Sequence, residues 1–108
     1  MPKKSKAQES EYAFEWDEEK NLVNIAKHGF DFADAEELFR GPLLVNPDLR
    51  EEYGEERWIG IGVIRGRAAV VVFTGRGVRK IRIISLRKAT HRERTHYEKA
   101  IEDELESR

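Results

Sequence analysis

A chain of 108 residues is long enough for one domain with its own core. It has no cysteine, which excludes disulfide bridges and thiolate metal sites and suits a cytoplasmic protein, and no segment approaches the ~20 apolar residues of a membrane span. The formal net charge of −1 conceals a sorted distribution: residues 57–96 hold eleven Lys or Arg against the single acid Glu93, residues 31–56 hold nine acids against two Arg, and the tail from Tyr97 holds five acids against two bases. A local positive potential of this kind concentrates polyanions whatever the net charge, and the planar guanidinium fork matches phosphate oxygens. The competing reading is a solvated basic face.

Residues 1–12 are polar, without the apolar stretch of a signal peptide, and read as a disordered lead-in to a single domain at 13–106. Phe14-Glu15-Trp16 alternates like a short strand, and Asp17 is a suitable N-cap for a first helix running to about His28, with Glu18 and Glu19 in its first turn. At about 100° per residue, Leu22, Ile25 and Ala26 fall on one side and Lys20, Asn24, Lys27 and His28 on the other, which predicts an apolar buried face and a polar outer stripe. Gly29 is a natural stop. Asp31 can cap a second short helix carrying Phe32, Ala35, Leu38 and Phe39, ended by Gly41-Pro42.

The hydrophobic period then changes to two. Apolar runs at Leu43–Val45, Trp58–Ile64, Ala68–Phe73 and Ile81–Leu86 are separated by turn signals such as Arg65-Gly66-Arg67 and Gly75-Arg76-Gly77. Connections this short predict antiparallel neighbours. Thr90 and Glu93 form a capping-box pattern before a last helix striped by Tyr97, Ala100, Ile101 and Leu105. The fold class is α+β, a meander of order β-α-α-β-β-β-β-α with the helices expected on one face of an antiparallel sheet.

Several motifs fail on geometry. His91 and His96 are five apart, about 140° around a helix, whereas a paired zinc site needs a spacing of four. Gly60, Gly62 and Gly66 lie within and just after a strand with another strand following, so they do not form a dinucleotide loop and instead suggest a close approach of backbone or ligand. Ser85 lacks the setting of a nucleophile elbow and reads as a strand-end hydroxyl. No metal ligand set and no cofactor is expected. Arg87 and Lys88 stand just before the last helix, whose free N–H groups would add to their attraction for an anion. RNA cleavage without a metal requires a group to take the 2′-hydroxyl proton, cations to hold charge on the phosphate and an acid for the leaving 5′-oxygen. Lys27, His28, Arg57, Arg82, Arg87, Lys88 and Tyr97 offer those parts.

The ordered blocks F-E-W-D-E-E-K-N, N-I-A-K-H-G-F-D-F-A-D-A-E-E-L-F, E-E-R-W-I-G-I-G and I-R-I-I-S-L-R-K-A-T-H-R-E-R-T-H-Y, from about Phe14 to Tyr97, resemble the BrnT toxins of type II toxin-antitoxin systems. The resemblance implies a RelE-like ribonuclease fold, cleavage of mRNA that inhibits translation and arrests growth, and neutralisation by a BrnA-like antitoxin with a ribbon-helix-helix DNA-binding domain. It further implies a 2:2 complex that contacts operator DNA through the antitoxin. The expected catalytic set is Lys27, His28, Arg57, Arg87 and Tyr97, with Lys20, Arg82, Lys88 and Arg94 binding RNA. The second reading is a non-catalytic module that binds the antitoxin or nucleic acid and acts mainly as a co-repressor.

Each of these residues has a structural alternative. His28 beside Gly29 can simply neutralise a helix C-terminus. Arg57 follows Glu55 and Glu56 and can be an ion-pair partner, Arg82 can join a carboxylate network, and Glu93 reads as a capping residue. Tyr97 opens the apolar stripe, so a packed ring with its hydroxyl at a cleft edge satisfies both readings. Trp16 and Trp58 read as core.

Overall fold

The computed structural model describes residues 12–106; the expected disordered lead-in at residues 1–12 lies outside the described residues except for Tyr12, whose ring packs edge-on against Phe39. Strand β1 (Ala13–Glu15) leads into α1 (Glu18–His28), a 3-10 turn (Phe32–Asp34) and α2 (Ala35–Arg40). Four strands follow, β2 (Leu44–Pro47), β3 (Trp58–Ile64), β4 (Arg67–Gly75) and β5 (Lys80–Lys88), before α3 (His91–Glu106). The predicted stops and caps are present. Asp17 accepts from the N–H groups of Glu19 and Lys20, and Gly29 takes the left-handed conformation at φ 78°. Thr90 and Glu93 bond reciprocally at the start of α3.

The sheet order is β1-β5-β4-β3-β2. The meander β2 to β5 is antiparallel as expected, but β1 runs parallel to β5, so the sheet is mixed. The intervening helices and three strands carry the chain back to that edge, which frees β1 from hairpin geometry. The β3–β4 hairpin closes on Arg65 and Gly66, both at positive φ, with the Arg65 N–H held by the Glu37 carboxylate.

The helices do not share one face. On one side, Ala35 and Leu38 of α2 pack with Phe30 and Phe32 against Ile64, Ala69, Val71, Phe73, Ile81, Ile83 and Leu86. On the other, Tyr97 and Ile101 of α3 cover Ile61, Val70 and Ile59. Alternation along β3 and β4 provides an apolar set to both faces, and the turn after β5 carries α3 across the second one. Gly60 and Gly62 explain the close approach: a Cβ on Gly62 would lie 2.8 Å from Leu38 Cδ2, and one on Gly60 would lie 3.1 Å from Leu43 Cδ1. Trp16 and Trp58 are half-buried against the first core, as expected.

Helix α1 reverses its expected orientation. Asn21 and Asn24 are buried, while Leu22 and Val23 are 65% and 64% exposed. The cause lies in the sheet edge. Strand β1 pairs only with Lys80–Arg82, leaving the later half of β5 without a strand on that side, and α1 packs against β5. The Asn24 carboxamide donates to Leu86 O at 2.8 Å and accepts from Leu86 N–H at 3.2 Å, acting as a one-residue substitute for a neighbouring strand. Its amide also donates to Phe30 O, and Asn21 accepts from Phe32 N–H while donating to Asp31. A buried backbone edge demands polar partners, and that demand outweighs the apolar periodicity of this helix.

Candidate functional site

Directly opposed residues in a ladder point to the same side of a sheet, so the register of β4 and β5 fixes which side chains share a surface. Arg82 faces Thr74, Ser85 faces Val72 and Arg87 faces Val70. Positions 82 and 87 differ by an odd number and would fall on opposite faces of a regular strand. A β-bulge between Val72 and Phe73 on the partner side absorbs Ile84 and brings Arg82, Ser85 and Arg87 onto one face. This is the face that α3 partly covers.

Arg87 donates through Nη1 and Nη2 to the two Glu93 oxygens at 2.8 and 2.9 Å, and through Nη1 also to Lys88 O. Its Nε–H and one Nη2–H remain for another acceptor. The Arg87 hydrogen bonds, joined by the Thr90 backbone N–H, hold the Glu93 carboxyl down at about 2, so it is an anion and a cap rather than a base. Arg82 and Arg57 belong to one chain of ion pairs. Arg82 bonds Glu15 at 3.0 Å, Arg76 approaches Glu15 at 3.9 Å and Glu55 at 3.5 Å, and Arg57 bonds Glu55 at 3.0 Å. The Arg57 guanidinium also lies 4.2 Å from the Tyr53 ring centroid.

The remaining candidates divide between two concavities. Lys20, Lys27 and His28 line a groove of about 440 Å³ between α1 and β5, together with Val23, Ile84 and Ser85. Neither Lys20 nor Lys27 forms an ion pair with another described residue, and Ser85 connects their groove to the face carrying Arg82 and Arg87. Lys88, Arg94 and Tyr97 line a second cavity of about 500 Å³ with Arg67, His91 and Thr90, at the hairpin end of the sheet. Tyr97 does not offer a free hydroxyl. It is 6% exposed, its hydroxyl donates to Pro42 O at 2.9 Å, and burial raises its pKa, so the ring and its O–H brace α3 against the chain entering β2. Arg94 is near Glu98 at 4.0 Å and His91 at 3.3 Å.

The loop between β2 and β3 contains a cluster outside the set of residues expected from the sequence. The buried Asp48 receives both Nε and Nη2 of Arg50 at 2.8 Å and the Tyr53 hydroxyl at 3.1 Å. Arg50 hydrogen bonding holds the Asp48 carboxyl down at about 2. The signal present was Asp-x-Arg with Tyr three positions on, submerged in a run rich in acids. Among the described residues, no three His, Cys, Asp or Glu side chains converge as metal ligands.

Residues 16–93 match the model of a family described as the ribonuclease toxin BrnT of type II toxin-antitoxin systems. The chain belongs to the BrnT family. The crystal structure of the Brucella abortus ribonuclease toxin BrnT is similar at a TM-score of 0.62 and 35% identity, covering 74% of this chain and 99% of that one. No curated protein matches the chain. The matched segment contains Lys20, Lys27, His28, Arg57, Arg82, Arg87 and Lys88, whereas Arg94 and Tyr97 lie beyond its end. Membership makes this a ribonuclease toxin of a type II system, with RNA as substrate and an antitoxin as partner. No helix among the described residues is long and apolar enough to cross a membrane.

Proposed function

We propose that this BrnT toxin is an endoribonuclease that cuts mRNA without a metal ion and thereby inhibits translation. The observation that carries the reading is the β5 bulge, which aligns Arg82, Ser85 and Arg87 on one face beside the groove of Lys20, Lys27 and His28. A phosphodiester lying along that face meets guanidinium donors. The His28 imidazole takes the proton of the 2′-hydroxyl as the 2′-oxygen bonds to phosphorus, and the P–O5′ bond breaks to leave a 2′,3′-cyclic phosphate. Lys27 protonates the departing 5′-oxygen, while Arg82, Arg87 and Arg57 hold charge accumulating on the non-bridging oxygens. Lys20, Lys88 and Arg94 bind flanking phosphates. Tyr97 is reassigned from the expected catalytic set to a packing role because its hydroxyl is buried and engaged.

The partner in this reading is a BrnA-like ribbon-helix-helix antitoxin, in a 2:2 complex in the cytoplasm that reaches operator DNA through the antitoxin. Purified, antitoxin-free toxin incubated with RNA in EDTA tests the activity. Cleavage should persist and leave 2′,3′-cyclic or 3′-phosphate ends. Strict dependence on added Mg²⁺ overturns the mechanism, and absence of cleavage alongside partner-dependent operator binding favours the co-repressor reading.

A further inference from the structure

The outward face of α1 has no structural task in this fold. Ile25, Leu22, Ala26 and Val23 occupy an arc of about 160° at helical spacing, interrupted in the first turn by Glu18 and Glu19, and the three larger residues are 36%, 65% and 64% exposed in the same order. Scattered exposed apolar side chains are ordinary, but an apolar helix face that remains outside because the opposite polar face is required inside has the character of an interface. The arc continues sideways. Val23 and Ile84 both line the groove between α1 and β5, and the groove is bordered by Lys20, Lys27 and His28 against the single acid Glu19.

We propose that this face docks an acidic amphipathic helix of the toxin's protein antitoxin. Its apolar residues would cover Leu22, Val23 and Ile25, and its carboxylates would lie against Lys20 and Lys27. The proposal rests on the family's antitoxin partnership and not on the catalytic assignments. Charge selects this occupant: the groove carries an excess of cations, neither lysine has an ion-pair partner among the described residues, and an acidic segment supplies both missing terms. RNA would satisfy the lysines but leave the leucine and valine in water. A segment so placed reaches Ser85, between Arg82 and Arg87, and thus blocks the phosphate track from its edge.

The test uses the full-length toxin and the protein encoded by the adjacent open reading frame, purified separately. A Leu22→Asp variant removes these apolar contacts at their centre and sets a like charge against the acidic segment, at a residue that does not line the groove of Lys20, Lys27 and His28. Calorimetric titration should show binding weakened about thirty-fold or more, because burying the Leu22 side chain supplies most of the lost affinity. Thermal unfolding and RNA cleavage of the free variant should match the parent toxin. Hydrogen exchange on the parent complex should show new protection across α1. Unchanged affinity, or protection confined to α3 and the β2–β3 loop, overturns the proposal. So does a free parent toxin that sediments as a dimer and becomes monomeric in the variant, since a second copy then occupies the face. RNA crosslinking at Leu22 or Val23 would assign it to substrate instead. A parent toxin that fails to cleave RNA refutes the catalytic reading while the titration still decides the docking surface.

Discussion

Asn24→Ala should be among the most damaging substitutions in α1, although apolar periodicity assigns position 24 to the solvent. The side chain makes three hydrogen bonds to backbone groups, at 2.8 and 3.2 Å to Leu86 and 3.0 Å to Phe30, and is only 6% exposed. Alanine removes the partner of the Leu86 N–H, the Leu86 carbonyl and the Phe30 carbonyl together. Each lost bond is worth about 1 kcal/mol net, and each buried group left unsatisfied costs about 1–3 kcal/mol. Water reaching part of the opened edge reduces the total, so the expected loss is about 3 kcal/mol. For a domain of this size that lowers Tm by roughly 10–25 °C. Leu22→Ser is the matched control, 65% exposed and expected to change stability by no more than about 0.5 kcal/mol. Urea unfolding followed by far-ultraviolet circular dichroism measures both, and exchange of the Leu86 amide reports the edge directly. A costly Leu22→Ser with a neutral Asn24→Ala would refute the inverted helix.

The Glu93 carboxyl is depressed to about 2 from an ordinary value near 4.5, so its stabilisation is complete above the unfolded-state value and disappears as pH falls from there toward 2. After discounting for partial exposure, Glu93→Gln should cost about 1–2 kcal/mol at neutral pH, and the gap between mutant and parent should close in acid, as read from denaturation midpoints across pH. Gly62→Ala should destabilise by about 1–2 kcal/mol because its Cβ meets Leu38 at 2.8 Å, while Gly75→Ala, with nothing within 4 Å, should leave the urea midpoint unchanged. Arg87→Ala and Arg57→Ala should each slow RNA cleavage ~10²–10³-fold while retaining a folded circular dichroism spectrum; loss that merely tracks unfolding makes them structural. Tyr97→Phe should cost about 1 kcal/mol through the lost bond to Pro42 yet cleave RNA within a few-fold of the parent, and a collapse in turnover with the fold intact would restore Tyr97 to the chemistry.

Local chemistry made much of this protein legible in its sequence. Asp17, Gly29 and the Thr90–Glu93 pair specify helix ends through bonds made within a few residues, and alternating runs specify β3 to β5 because a strand's period is intrinsic to its backbone. The segregation of cations into residues 57–96 likewise needs no structure to read. Three decisions belong to the tertiary fold. The parallel pairing of β1 depends on where the chain returns after three other strands. The orientation of α1 depends on an unpaired stretch of β5, sixty-two residues away from Asn24, whose need for hydrogen bonds reverses the helix's apolar logic. The common face of Arg82 and Arg87 depends on one extra residue in β5, because a shift of a single position in a two-residue period sends a side chain to the opposite side of the sheet.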